Sequence, residues 1–504
     1  MTLMGSGAVV AVDDAGERAR RGGIEWARTT FNERTECLGR LRSLIVEEMD
    51  AIADCLTAVT GKTPVEAVMT EIVPTVENLR YLEKNVARVL STEKRPTPFS
   101  YRHSSSRVER HPWGWVLILS PWNFPFQLSL VPMATALVAG NAVVLKPSEL
   151  SAEVGTMIVR LCHRAGFPPE VVGLVLGDGQ TGQRLIDAKP DMVFLTGGVE
   201  TGKKVMGAAA AHLIPVLLEL GGKDPMIVFD DAPFDRTIEG AVYGAFANTG
   251  QVCASVERLY VQESVHDAFV SALVARTKAL KVGTGMDDDM GALTHPRQAD
   301  IIDRHIDDAL QKGARLCTER WRKGLFMSPV VLTQVNHTMA VMTEETFGPV
   351  LPVMSFQTEE EAVGLANNSP FGLNASVWTR DLDRGRRVAS RLAVGNCAVN
   401  DVLKNIGNPH LPFGGIKHSG FGRSHGPEGL RAFTYEKSVM VNRGTAPREL
   451  NWFPYSRAVY ENLRVYLHMS FLKKPLLAKL IGLWGFMRAF RQSQKKGGPL
   501  EHQK

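Results

Sequence analysis

Three residues in this 504-residue chain stand where their side chains could do chemistry: Cys253, Glu219 and Asn123. Cys253 closes the run Gly250-Gln-Val-Cys253, just after the small-residue stretch GAVYGAFANTG. A lone cysteine is ordinarily a small buried hydrophobe; its company raises Cys253 above that reading. Glu219 sits in LELGG, an acid inside an apolar run, where burial moves a carboxyl pKa toward that of a useful general base. Asn123 sits in PWNFP, where a side-chain amide at a strand end can donate to a developing oxyanion. Nucleophile, base and oxyanion donor are the parts that covalent chemistry at a carbonyl needs.

Two glycine clusters offer places for phosphate. Gly177-Asp-Gly-Gln-Thr-Gly182 matches a dinucleotide fingerprint, but the following strand ends in LTGG rather than in the ribose-binding acid that the fingerprint needs. It reads as a glycine-rich turn, with Gly179 bordering a cofactor at most. Thr196-Gly-Gly-Val-Glu-Thr-Gly202 also follows a strand and opens a helix, whose first backbone N–H groups attract phosphate.

Seven motifs then occur in one order: PWNFP (121–125), LKPSE (145–149), LTGG (195–198), LELGGKDP (218–225), GQVC (250–253), EETFGPVLPV (344–353) and PFGGIKHSGFGR (412–423). In this set and order the chain resembles the NAD(P)-dependent aldehyde dehydrogenase superfamily over roughly 22–442. The resemblance implies that Cys253 is the nucleophile, Glu219 the general base and Asn123 the oxyanion donor. It implies a route through a thiohemiacetal and a thioester to a carboxylic acid. For the cofactor it implies Trp122, Lys146, Ser148, Glu149, Gly179, Thr196, Gly197, Gly198, Gly202, Gly221, Glu345 and Phe347. Lys146 and Glu149 match positions at the adenosine ribose, and Glu345 the position at the nicotinamide ribose. A carboxylate at Glu149 accepts a ribose hydroxyl but repels a 2′-phosphate, which favours NAD over NADP. Ser148 tempers that, because the KPSE form also occurs in members that use both. The chain departs from the family in lacking a small hydroxyl residue at Gly198 or Val199, which leaves the phosphate to the backbone.

The elements that must position these residues follow from periodicity. From about residue 24 to 89 the pattern is helical, broken by GKTP at 61–64. VERHPWGWVLILSPWNFP (108–125) reads as a hairpin arm leading into a buried strand. Helices at 128–140, 152–166 and 181–188 alternate with strands at 141–149, 171–179 and 191–198, and strand–helix alternation at this spacing implies a parallel, doubly wound sheet. VERLYVQESV, TMAVMTEETFGPVLPVMSF and FGLNASVWT supply β-rich pieces of a second region, which starts at Gly221 and Gly222. The fold expected is α/β: a Rossmann-like cofactor domain (1–97 and 113–221), an α/β catalytic domain (222–432), small β oligomerisation segments (98–112 and 433–443) that imply a homodimer or homotetramer, and a C-terminal extension (444–504).

Composition bounds the alternatives. Six scattered cysteines show no CxxC spacing or histidine cluster, which speaks against a zinc site or a disulfide framework and for a reducing, cytoplasmic setting. No secretory signal opens the chain. Eight Lys/Arg and one Glu between 471 and 504 give that tail a charge of +7 and leave −2 for the rest, so no nucleic-acid surface is expected on the body. Leu476, Leu480, Leu483, Trp484 and Met487 form an apolar stripe among basic residues, the pattern of an interfacial helix over 472–491 that attaches to a membrane surface or packs on protein. Membrane attachment would favour a medium- or long-chain aliphatic aldehyde. Two rivals remain: a CoA-acylating aldehyde dehydrogenase, against which Glu219 argues, and a catalytically silent membrane-associated scaffold, against which the intact trio argues.

Overall fold

A computed structural model describes residues 9–98, 101, 103–445, 449, 452–472 and 484. The chain divides into two compact units, one formed by Met1–Thr92 with Glu109–Lys437 and the other by Glu93–Val108 with Ser438–Lys504.

The larger unit is organised by two sheets. The first contains β1 (Trp115–Leu119), β2 (Ala142–Lys146), β3 (Val172–Leu174), β4 (Met192–Thr196) and β5 (Val216–Glu219). These strands are parallel and lie in the order β3-β2-β1-β4-β5. That is the doubly wound order of a dinucleotide-binding half, with its switch point beside the first strand. Sequences such as WVLIL and AVVLK are apolar without alternation because helices cover both sheet faces, and every residue of β1, β2 and β4 is buried.

The second sheet is built from β6 (Asp224–Val228), β7 (Val256–Gln262), β8 (Val330–Thr333), β9 (Val350–Phe356), β10 (Asn374–Trp378) and β11 (Asn396–Val399), in the order β8-β9-β7-β6-β10-β11 with Arg315–Leu316 antiparallel at one edge. Only Leu220–Lys223 separates β5 from β6. A last short strand, β12 (Gly420–Phe421), returns to pair antiparallel with β5, Gly420 opposite Glu219.

Glu93–Arg95 pairs antiparallel with the strand Ser104–Pro112, and Thr434–Asn442 completes this three-stranded sheet. The arm expected ahead of the buried strand is Ser104–Pro112, antiparallel to Glu93–Arg95, and it belongs to a different sheet from β1. Three further β expectations shorten. β3 stops at Leu174 because Gly177, at φ +150°, turns the chain and Asp178 caps the next helix. VERLYVQESV is strand only to Gln262, since Glu263 begins a helix. The first half of 338–356 is a helical turn and a loop, because Glu257 takes the Thr346 and Phe347 amides that a neighbouring strand would otherwise take.

A helix the sequence reading did not anticipate spans Arg457–Phe471, with none of its residues buried. Among the described residues no helix is long and apolar enough to cross a membrane. The expected interfacial helix at 472–491 lies outside the described residues except for Leu472 and Trp484.

Candidate active site

Parallel β-strands end at a common edge, and loops leaving that edge carry the chemistry here. In register, Leu119 lies beside Leu195, and Thr196 beside Glu219. From this edge come Trp122 and Asn123 after β1, Thr196–Gly198 at the end of β4, and Glu219–Gly221 at the end of β5. Facing them are loops that enter the second sheet: Cys253 ahead of β7, Glu345 and Phe347 ahead of β9. All eleven of these residues line one cavity of about 260 Å³. Cys253, Glu219 and Asn123, far apart in sequence, thus share one space.

Each is held by specific contacts. Asn123 is 4% exposed; its Nδ2 donates to the Gln251 carbonyl at 3.0 Å, which ties it to the loop that ends in Cys253. That loop is bent by consecutive left-handed residues, Asn248 (φ 50°) and Thr249 (φ 57°), followed by Gly250 (φ 71°). Such strain persists only where neighbours enforce it. Here the Glu66 carboxylate accepts the Asn248 N–H at 2.6 Å and Thr249 Oγ1 donates to Gly291 O at 3.0 Å. A side chain on Gly250 would run into the backbone of Gly348.

Glu219 receives a hydrogen bond from Ser424 Oγ. Burial pushes its carboxyl up to about 7, with the Ser424 bond and the charge of Arg423 opposing the rise. Near neutrality it can therefore both take and release a proton. Burial also raises the Cys253 thiol, and the carboxylates of Glu219, Glu345 and Asp224 raise it further. The thiol must lose its proton to become a nucleophile, and Glu219, which lines the same cavity, is a candidate acceptor.

Glu345 is anchored through Gly221 and Gly222. The Gly222 N–H donates to Glu345 Oε1 at 3.0 Å, and a Cβ on Gly221 would collide with the same carboxylate. Burial and the negative charge of Glu257 push Glu345 to about 8. Behind it, fully buried Lys223 donates to Glu257 Oε2 at 2.5 Å and to Thr346 Oγ1 at 3.1 Å. Trp122 and Phe347 meet edge-on at 5.5 Å as an aromatic wall.

The glycine clusters differ in what their helices need. At Gly177–Gly182 the Asp178 side chain accepts from Gln180 N at 3.0 Å and Thr181 N at 3.1 Å, so a carboxylate already occupies the amides a phosphate would use. The helix Val199–Ala210 has no side-chain cap at Gly198, and a Cβ there would meet nothing within 4 Å. Its open amide cradle fits a dinucleotide pyrophosphate.

Five of the anticipated cofactor residues do not line the cavity. Lys146, buried at the end of β2, has its ammonium pKa lowered by desolvation, against the pull of Glu149 and Asp178. Glu149 and Gly179 are exposed nearby, while Ser148 Oγ accepts the Leu150 N–H. Gly202 is buried where a Cβ would stand 2.7 Å from the Leu220 methyls, so its lack of a side chain brings that helix onto Leu220.

Sequence reasoning missed Ser424, one residue beyond the last motif it used, and Gln298 and Ile301, which line the cavity from the helix Pro296–Gln311. The apolar cluster of Ala254, Leu373 and Phe413, with Leu403 and Ile406 packed on it, also includes Cys253 and was not anticipated.

This geometry has known counterparts. The model of the aldehyde dehydrogenase family matches residues 4–439. The chain belongs to that family. Among similar aldehyde-oxidising proteins, the 4,4'-diapolycopene aldehyde oxidase of a Methylomonas species is 47% identical over 476 residues, covering 94% of this chain and 90% of that protein. A betaine aldehyde dehydrogenase of Bacillus subtilis is 35% identical over 85% of this chain and 88% of its own. The betaine aldehyde dehydrogenase of Staphylococcus aureus solved in complex with NAD+ superposes with a TM-score of 0.82 at 33% identity, covering 88% of this chain and 89% of that one. This aldehyde dehydrogenase therefore keeps the family's α/β architecture.

The carboxylates around Cys253 give a measurable expectation. Glu219→Gln removes one of the charges that raise the thiol, so Cys253 is expected to titrate at lower pH than in the parent. The pH dependence of iodoacetamide alkylation reads this, and a thiol unmoved by the substitution would mean that the two side chains do not sense each other.

Proposed function

We propose that this aldehyde dehydrogenase oxidises an apolar, long-chain aldehyde to the carboxylic acid with NAD, Cys253 acting as nucleophile, Glu219 as base and Asn123 as oxyanion donor. The observation that carries the reading is the single cavity in which this trio meets Glu345 and the uncapped Thr196–Gly198 turn.

The residues divide the work as follows. Glu219 takes the Cys253 proton, and the thiolate attacks the aldehyde carbon. The N–H of Asn123 Nδ2 not used on Gln251, together with the Cys253 backbone N–H, donates to the resulting oxyanion; losing one such donor typically costs ~100 to 1,000-fold in rate. NAD, when bound, accepts the hydride. A thioester remains on Cys253, and Glu219, after releasing the first proton to solvent, removes a proton from the water that hydrolyses it. The uncapped helix at Gly198 holds the pyrophosphate, Glu345 the nicotinamide ribose, and Lys146 with Glu149 the adenosine ribose. NAD in complexes of relatives solved with it supports the cofactor. In this reading 1–97 and 113–221 bind cofactor, 222–432 carries Cys253, and 98–112 with 433–443 pairs subunits in a homodimer or homotetramer.

Incubation with aldehyde and NAD is expected to yield NADH without CoA, and Cys253→Ala to abolish it. A strict CoA requirement would move the assignment to acyl transfer, and unchanged turnover in the variant would remove Cys253 from the mechanism.

An apolar substrate is supported by Leu403, Ile406 and Phe413 clustering with Cys253, and by the 4,4'-diapolycopene aldehyde named for the Methylomonas relative. Each methylene buried is worth about 0.8 kcal/mol, so kcat/KM is expected to rise roughly fourfold per methylene along an aliphatic series until the pocket is filled. Betaine aldehyde, which carries a fixed charge, is expected to be poor; a preference for it over decanal would overturn the apolar assignment.

The basic tail supports peripheral attachment to an anionic membrane. Full-length chain is expected to co-sediment with phosphatidylglycerol vesicles and a chain ending at Val465 to stay in solution; equal binding of both would dispose of the anchor.

A further inference from the structure

A cluster of buried ionisable groups lies outside the catalytic trio, on the segment that joins the first helices to the active-site loops. Gly61, left-handed at φ 77°, ends the helix Met49–Thr60, and its carbonyl accepts the Ala292 N–H at 2.9 Å. Thr63 and Glu66 then form a capping box that restarts the helix at Pro64. Within it, Val68–Ile72 winds as a π-turn. A π-turn admits one extra residue and re-aims the side chains on it. Glu71, on this turn, is fully buried.

From there two charged side chains reach the Asn123 loop. Lys62, 1% exposed, donates from Nζ to Glu71 Oε1 at 2.5 Å and to the Asn123 carbonyl at 3.0 Å, with its ammonium 4.4 Å from the centre of the Phe124 ring. Glu71 Oε2 accepts the N–H of Phe126 at 2.7 Å and of Gln127 at 3.3 Å, which fixes the other end of the same loop. Asn248 Nδ2 donates to the Asn123 carbonyl at 3.2 Å and to the Gln251 carbonyl at 3.1 Å. Two donors on one carbonyl fix the peptide plane from which the Asn123 side chain departs. A side-chain amide has two N–H groups. With one held on Gln251 O, that plane sets the direction of the other.

Stability alone does not account for such a pair. Removing two ions from water is costly, and well-packed apolar residues often replace a buried ion pair without loss of stability. What an apolar pair cannot do is hold the Asn123 carbonyl.

We infer that Lys62 and Glu71 are positioning residues for aldehyde oxidation: their ion pair clamps the loop at Asn123 and at its exit into the next helix and so aims the oxyanion donor. The inference rests on the proposed role of Asn123. Misplacing a reacting group by about 1 Å can cost ~100-fold in rate, which sets the scale of the expected effect.

The test is a double-mutant cycle on the full chain with aldehyde and NAD. The joint change Lys62→Met with Glu71→Gln removes the donor to Asn123 without leaving a lone buried charge, and Gln can still accept the Phe126 N–H. It is expected to lower kcat by about 10- to 100-fold, while iodoacetamide alkylation of Cys253 stays within about twofold of the parent. In an Asn123→Ala background the same change should cost less than about threefold, because residues acting through one group are not additive. A full additional loss in that background, or a parent-like kcat for the paired variant, overturns the clamp. If Asn123→Ala alone keeps parental turnover, the oxyanion reading falls and the clamp with it. Lys62→Arg, which preserves the charge but alters the reach to Asn123, repeats the cycle should the paired variant not fold, and must show the same non-additivity.

Discussion

The site depends on a short connection. Leu220–Lys223 joins the last parallel strand of one sheet to the first strand of the next, so the edge where β5 ends must lie close to the edge where β6 begins. In that space Gly221 leaves room for the Glu345 carboxylate and the Gly222 N–H donates to it. Lys223 turns inward to Glu257, which in turn takes the amides of Thr346 and Phe347. One buried ion pair therefore fixes both the connection and the loop that brings Glu345 to the cavity. Such a pair gives little net stability once desolvation is counted, so its value is geometric.

Burial then sets the chemistry. A carboxyl in water is ionised at neutral pH and a poor proton acceptor; inside the cavity, Glu219 is moved to about 7. The same desolvation raises the Cys253 thiol and leaves it dependent on a base. The Ser424 hydroxyl keeps Glu219 from rising further by donating to its charged form.

How much of this could be read from sequence follows from what each feature depends on. β1, β2 and β4 were legible because a parallel strand covered on both faces is apolar throughout. Cys253, Glu219 and Asn123 stood out because a reactive group in an apolar or small-residue run is conspicuous. The loop 338–349 misled, since Val341 and Met342 are as apolar as a strand and only Glu257, about 90 residues away in sequence, explains why no ladder forms. Lys62 and Glu71 went unseen because GKTP looks like an ordinary break and Glu71 like one more charge on a solvated helix. Only the π-turn and the fold around it put them inside. At Gly177–Gly182, discounted from sequence as a phosphate cradle, the Asp178 carboxylate caps the helix amides.

The bare start of the helix Val199–Ala210 carries a final implication. The polypeptide supplies no side-chain acceptor at that helix start, so a dinucleotide pyrophosphate seated there would complete a piece of secondary structure. Occupancy and thermal resistance are thereby linked: the folded state gains from every increment of free nucleotide above its dissociation constant, and melting temperature becomes a gauge of the nucleotide pool.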